Sequence, residues 1–355
     1  MLSVSQAFAL LGFAATTAQV LVLRQYLISF YGNELSLGLM LALWLVGHSL
    51  GSYIAALFPS PSSNRFQRIL LIIAFAPLIF LPLSLIITAW LLPATGQLVP
   101  LTSIVFGALL LVVPLGALMG LPFPTMCFMY GGEEQAREKR IAKFYVVDAL
   151  GSMGGGALYT FIFSLYLSPL QVASLCALAV LTVVFALPTF DGQEKRWEQK
   201  LSIPFALGLL GLFLFGAPLQ EKLSQQRFAL SHSTLNFVAE CETPYQHLTL
   251  AQAHGQYSLF GDGHYYCSFP DIAETALQAH FLMLLHPKPK DVVLLGGGLN
   301  GFLTEACKHN LTKLSYVELD GQLIDFLSPY LPQEDKEGLQ LPAVSVIRHD
   351  GRRYI

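Results

Sequence analysis

Stretches of about 20 apolar residues, the length one helix needs to cross a ~30 Å hydrocarbon core, dominate the first two-thirds of the chain. Seven can be read, at 4–23, 34–58, 69–92, 99–129, 144–167, 169–189 and 201–219. In hydrocarbon a segment must satisfy its own backbone N–H and C=O groups, so these runs predict helices. The first is expected to be a span, not a cleavable leader, because no basic residues precede it and a second apolar span follows closely. Segment 99–129 is longer than one span requires. It holds Pro114, Gly116, Gly120, Pro122 and Pro124, which predict a kink or break near 120–124.

Charge divides the chain in the same place. Only 12% of the 355 residues are charged, against about a quarter in soluble globular proteins. Positions 1–219 hold 18 charged residues and positions 220–355 hold 25, with eight of the nine histidines in the second group. The chain therefore divides into a membrane block and a polar region. A net charge of −3 gives no electrostatic case for binding nucleic acid, which needs clustered basic surface. Cys127, Cys176, Cys241, Cys267 and Cys307 are odd in number and lack CxxC spacing, so neither a disulfide framework nor a metal site is expected.

Within the membrane block, Gly47/Gly51, Gly116/Gly120 and Gly151/Gly155 have the GxxxG spacing that lets helix backbones approach closely. Gly154 and Gly156 widen the small face of the fifth span. Arg24, Glu34, His48 and Asp148 are ionisable residues in or beside spans. Such residues either sit at the interface or bond to a neighbouring helix, or they mark a pathway. Arg65/Arg68, Arg137/Lys139/Arg140/Lys143 and Lys195/Arg196/Lys200 fall in the second, fourth and sixth loops, which places the even loops and the N-terminus in the cytoplasm. Seven spans would then leave the polar region outside, whereas Lys222 and Arg227 after the last span favour the inside.

The polar region begins with residues 245–263, which alternate in short runs around Gly255 and end in a turn at Asp262-Gly263. This predicts a β-hairpin. Residues 271–285 carry apolar positions at helical spacing behind Asp271, a good N-cap type. After the breakers Pro287 and Pro289, VVLLGGGLNG (292–301) reads as an apolar strand entering a glycine loop, then FLTEACKH as a helix. LSYVELD (314–320), GQLIDFLSPYL and AVSVI (343–347) continue the alternation to Arg348-His349-Asp350-Gly351. A β–α–β–α–β run predicts a parallel sheet with right-handed crossovers. Gly296, Gly298 and Gly301 fit G-x-G-x-x-G, where absent side chains let backbone approach a nucleotide-like ligand. Glu318, 20 residues after Gly298, stands where an acidic side chain can accept from two ribose hydroxyls.

The order YQ, DG, an Asp-led helix, HPKPKDVVLLGGG, VELD and HDG resembles the spermidine synthase (polyamine aminopropyltransferase) family. The strings GLPFPTMCFMY and KFYVVDALGSMGGGAL are similar to those of its membrane-embedded members. The resemblance implies a multi-span helical membrane domain (1–219, about seven helices). A linker, β-hairpin region and helix (220–290) follow, then the first half of an adenosyl-cofactor-binding, Rossmann-like methyltransferase-type α/β domain (291–355). It implies decarboxylated S-adenosylmethionine, or S-adenosylmethionine, as cofactor. Gln246 would contact the methionine-derived chain, Glu318 and Asp320 the ribose, and Asp350 with Gly351 the adenine. The amine substrate would meet Tyr266, Asp271 and Leu299.

Three positions depart from the family pattern. Leu299 replaces a loop Asp, Tyr266 replaces a Gln, and Thr275-Ala276 replace a Tyr-His pair, so the nucleoside half is kept and the amine half is altered. The family's catalytic Asp follows a fourth strand. The sequence ends after the third, so the catalytic residue is expected beyond Ile355 and the chain is expected to be truncated. Three functions stay open: aminopropyl transfer to an amine, a methyl or altered alkyl transfer, and a membrane transporter or sensor acting through Asp148. The expected setting is a bacterial inner membrane, with the polar region facing the cytoplasm, where adenosyl cofactors are made. Homo-oligomerisation is left open.

Overall fold

The computed structural model describes residues 3–30, 32, 34–58, 63–91, 99–132, 134–186 and 197–355. Two compact units divide the chain, residues 1–232 and 233–355. Lys195 and Arg196 of the sixth loop, and the ends of the third and sixth apolar segments, lie outside the described residues.

The first unit is helical: α1 (Val4–Ser29), α2 (Glu34–Leu57), α3 (Ser63–Leu91), α4 (Leu101–Gly120), α5 (Pro122–Tyr130), α6 (Glu134–Leu158), a π turn (Tyr159–Phe163) with α7 (Ser164–Tyr166), α8 (Pro169–Ala186), α9 (Trp197–Phe215) and α10 (Ala217–Ser231). Six helical runs among the described residues are long and apolar enough to cross a membrane. The pair Ile203–Phe215 and Ala217–Ser231, bent by 70°, is a seventh if counted as one span. At the predicted break, α4 ends at Gly120 and α5 opens on Pro122. Leu121 between them keeps right-handed helical angles, φ −67° and ψ −42°, so proline interrupts the hydrogen-bond ladder while the backbone stays helical. The basic residues Arg137, Lys139, Arg140 and Lys143 lie on the first turns of α6, not in a loop.

Glycines set the closest helix pairs. A Cβ on Gly47 or Gly51 of α2 would collide with the Val113 or Ala117 carbonyl of α4, and one on Gly120 with the His48 carbonyl. A Cβ on Gly116 would lie 2.9 Å from Trp44 O. The two GxxxG pairs thus interlock across one contact. Gly151 and Gly155 of α6 meet Ala9 and Phe13 of α1 in the same way, the latter with its Cβ position 2.6 Å from Phe13 O. Around these contacts Phe8 stacks on Phe144 at 4.4 Å, and the Tyr26 hydroxyl donates to Ile104 O.

The boundary falls 13 residues later than the predicted 219 because α10, though polar, packs into the first unit. Gln220, Ser224 and Phe228 are buried, Gln220 Oε1 accepts from Leu170 N at 3.3 Å, and Arg227 Nη1 donates to Gln25 Oε1 at 2.8 Å.

The second unit opens with a four-stranded antiparallel meander, β1 (Asn236–Glu242), β2 (His247–Ala253), β3 (Gln256–Gly261) and β4 (His264–Phe269), in sequential order. The predicted hairpin is its middle. Two two-residue turns, His254-Gly255 and Asp262-Gly263, have positive φ at both positions, matching the right-handed strand twist. β1 and β4 pair through bulges, at Phe237/Ala239 and opposite Leu259/Phe260. Such irregular pairing blurs the alternation that would have revealed them. Next come α11 (Ile272–Leu284), β5 (Asp291–Leu295), α12 (Phe302–Cys307), β6 (Lys313–Glu318), α13 (Gly321–Leu327), α14 (Gln333–Gly338), β7 (Val344–Arg348) and α15 (Gly351–Tyr354). β5, β6 and β7 form a parallel sheet in that order. Its centre, β6, is buried along most of its length, whereas Val293 and Leu295 on β5 are half-exposed.

Gly51→Ala should cost about 2 kcal/mol through overpacking, roughly 4–8 °C in melting temperature for a unit of this size. Gly208→Ala and Gly211→Ala, whose Cβ positions have nothing within 4 Å, should leave the melt of the detergent-solubilised chain within about 1 °C.

Candidate functional site

The second unit's polar residues converge at the C-terminal ends of the parallel strands, where open α/β sheets bind ligands. The glycine loop leaves β5 with Gly296 at φ +70° and Gly297 at +69°, and Gly301 reaches +99°. Side chains rarely adopt these angles, so the loop needs glycine. Gly296 N donates to Val317 O at 2.9 Å, which ties the loop to β6. Cβ positions at Gly296 and Gly297 have nothing within 4 Å, whereas one at Gly298 would lie 2.8 Å from the Tyr316 ring. Two of these glycines therefore leave open space at the strand end, and the third makes room for a core aromatic. Gly301 caps α12 close to the Asp335 carboxylate.

Glu318, at the end of β6, is 7% exposed. Its Oε2 accepts from the Tyr316 hydroxyl at 2.7 Å, and its Oε1 from the Asp320 backbone N–H at 3.2 Å. Burial and the neighbouring Glu318 carboxylate push the Tyr316 hydroxyl far above its ordinary range, so it stays a donor that fixes the carboxylate's orientation. His349 N donates to Glu318 O at 3.0 Å, bringing the β7 turn alongside. There Asp350 caps α15 through Arg352 N at 2.9 Å, and the Cβ position of Gly351 lies 3.1 Å from Leu295 Cδ2. The glycine loop, Glu318 and Asp350-Gly351 thus share one edge.

Asp320 joins this edge to the meander. Buried at 3% exposure, it accepts at Oδ2 from Thr243 Oγ1 (2.8 Å) and Gln246 Nε2 (3.1 Å). At Oδ1 it accepts from Gln322 N (3.2 Å), which caps α13. Gln246 Oε1 in turn accepts from the Tyr266 hydroxyl at 2.8 Å. Tyr266, Gln246, Asp320 and Glu318 therefore form one hydrogen-bonded series. Burial first, then Asp262 and Asp320, raises the Tyr266 hydroxyl above its usual range.

Two of the proposed substrate positions do other things. Asp271 caps α11, accepting from Glu274 N at 3.2 Å. Leu299 is 5% exposed and packs in the core with Phe302 and Leu303, so this loop position offers a ligand no polar side-chain atom. Thr243 and Tyr316 hold Asp320 and Glu318 in place, and sequence reading did not single them out. A threonine before a strand and a tyrosine within one carry no spacing signal. His247, buried, contacts Glu242 Oε1 through Nδ1 at 2.9 Å and Glu240 Oε2 through Nε2 at 3.4 Å, locking β1 onto β2. Among the described residues, no group of three or more His, Cys, Asp or Glu side chains is arranged to hold a metal.

With this geometry in view, comparison with known proteins is specific. Residues 272–355 match the spermine/spermidine synthase domain family. Polyamine aminopropyltransferase 1 of Pseudomonas aeruginosa is 28% identical over 142 residues, 38% of this chain and 48% of its own. The enzyme of Pyrobaculum calidifontis is 36% identical over 77 residues, 21% and 27% of the two chains, and that of Sulfurisphaera tokodaii 31% over 128 residues, 35% and 42%. Among solved structures, spermidine synthase from Thermotoga maritima is 26% identical, with a TM-score of 0.31 over 33% of this chain and 42% of that one. The chain spans less than half the length of these curated relatives. The match supports the aminopropyltransferase family at the level of the C-terminal domain.

Two outcomes test the site as a structure. Asp320→Ala should leave the Thr243 hydroxyl and Gln246 amide without their acceptor, at a cost of about 3 kcal/mol. Hydrogen exchange should show faster opening of β2 and the Gln246 loop. Cys267 on β4 is pushed up to about 11, by burial and then by Glu274. A higher pKa means less thiolate at a given pH, so at pH 8.5 its alkylation should run on the order of 100-fold slower than a free thiol's. The rate should climb until pH ~11.

Proposed function

We propose that the second unit binds decarboxylated S-adenosylmethionine and that the protein transfers its aminopropyl group to an amine, anchored by the first unit in a bilayer. The observation that carries this reading is the shared edge: open glycine backbone after β5, beside a buried, pre-oriented Glu318 carboxylate. Glycines without side chains admit the nucleoside, and a carboxylate held by Tyr316 and the Asp320 N–H keeps lone pairs for a ribose diol. Gln246, oriented by Asp320 and Tyr266, would face the methionine-derived chain, with Asp350 and Gly351 at the base. In such a transfer the amine nitrogen attacks the methylene next to the sulfonium, the C–S bond breaks, and the thioether nucleoside leaves. The nitrogen loses a proton. The chain's share of that chemistry is mainly orientation.

A methyl or altered alkyl transfer is the second reading, favoured by Leu299, which is turned into the core where the family loop has an Asp. The bilayer setting rests on the six apolar helical runs, and the cytoplasmic side on where the nucleoside is made.

Isothermal titration of the full chain separates the readings. Aminopropyl transfer requires tighter binding of the decarboxylated form, and a preference for S-adenosylmethionine itself would redirect the assignment to methyl transfer. Glu318→Gln should weaken nucleoside binding about 10–100-fold, the worth of a charge-assisted hydrogen-bond pair. Unchanged affinity would sink the ribose role.

A further inference from the structure

The helices of the first unit line a partly open cavity of about 210 Å³ with two kinds of wall. Asp148 and Ser152 of α6, His48 of α2 and Gln19 of α1 supply polar atoms. Trp44 and Phe123 supply aromatic faces, and aliphatic side chains of α1, α3, α4 and α8 complete the lining. The polar side exists because α1 has no side chain at Gly12. A Cβ there would stand 2.9 Å from both Asp148 Oδ1 and Ser152 Oγ. Close approach of the backbones thus leaves these oxygens aimed across the contact without filling it.

Asp148 is the feature that needs explaining. Among the described residues no lysine or arginine lines the cavity, and His48 is its one basic side chain. Among the described residues, no side chain bonds or ion-pairs with its carboxylate. Asp148 is partly buried, and a carboxylate that loses part of its hydration with no lysine or arginine beside it is destabilised to that extent. Its surroundings match one class of ligand. A primary ammonium has three N–H donors and no acceptor, which suits a carboxylate beside the neutral oxygens of Gln19 and Ser152. Aromatic faces attract the same cation, and aliphatic walls suit its methylene tail. A calcium or magnesium ion would instead ask for six or more oxygen ligands, and among the described residues no group of three or more His, Cys, Asp or Glu side chains is arranged to hold a metal. The volume is about seven times a water's share of liquid, ~30 Å³, room for an amine of about six heavy atoms.

We propose that this cavity is a binding site for a small aliphatic ammonium ion, with Asp148 as its counter-charge. The proposal does not depend on the transferase reading, since it concerns a different unit and a binding event without the nucleoside.

The test uses the full chain in lipid nanodiscs, titrated with 1,4-diaminobutane in the absence of nucleoside. Saturable binding is expected at one Asp148-dependent site, with butane-1,4-diol, its neutral counterpart, not binding. Asp148→Asn should weaken that binding at least tenfold, Asp148→Glu should restore part of it, and Trp44→Leu should weaken it several-fold. A wild-type chain that binds no diamine, or an Asp148→Asn chain that binds it equally well, overturns the proposal. If Asp148→Asn fails to fold, the wild-type chain decides. Carbodiimide labelling of Asp148, read by mass spectrometry, should slow several-fold with diamine present, and unchanged labelling overturns the assignment.

Discussion

The second unit depends on one buried carboxylate. Asp320 stands where β6 ends and α13 begins, and its two oxygens take hydrogen bonds from both sides: Gln322 N on the helix, Thr243 and Gln246 on the meander. A charge at 3% exposure is tolerable only when its lone pairs are filled, so the antiparallel and parallel parts are held in one relative position. Glu318, two residues earlier, inherits that order through the Asp320 N–H. The edge that carries the glycine loop and Glu318 therefore shares residues with the contact between the two sheets, so its geometry and the unit's stability are coupled.

The first unit rests on the opposite device, the absence of side chains. Its two closest helix contacts, α1 with α6 and α2 with α4, bring backbone carbonyls onto glycine Cα atoms. Close van der Waals contact between backbones carries the association at these points. Gly12 makes the same close approach, its Cβ position against the Asp148 backbone carbonyl, and the cavity lined by Asp148 lies beside it. Among the described residues Asp148 has no hydrogen-bond or ion-pair partner, so packing explains it less than it explains the glycines.

Much of the architecture was legible before any coordinates. Apolar runs gave the helices because length and composition are local properties, and proline and glycine near 120–124 gave the interruption at Leu121. The β–α–β–α–β order from Val292 to Ile347 gave a parallel sheet because parallel strands need a crossover between them. The cap at Asp271 and the turn at Asp262-Gly263 followed from side-chain and φ preferences. The meander's outer strands were not legible. β1 and β4 are bulged edge strands whose partners lie elsewhere in the chain, and β1 is fixed by a histidine between two glutamates that no spacing rule pairs. Nor was α10's place, since a polar helix of this composition reads as a linker until Gln220 and Arg227 find buried partners.

The glycine loop shows where local information runs out. Its spacing announced a place where backbone must come close to something, and Glu318 at the right interval announced what that something could be. Which glycine meets which neighbour was settled by packing: Gly296 and Gly297 open outward, Gly298 accommodates Tyr316, and Leu299 turns into the core. Composition and periodicity constrain each segment's own conformation. Contacts such as Tyr316 to Glu318, Gln246 to Asp320 and Gly12 to Asp148 depend on how segments meet, and for that the chain has to be folded.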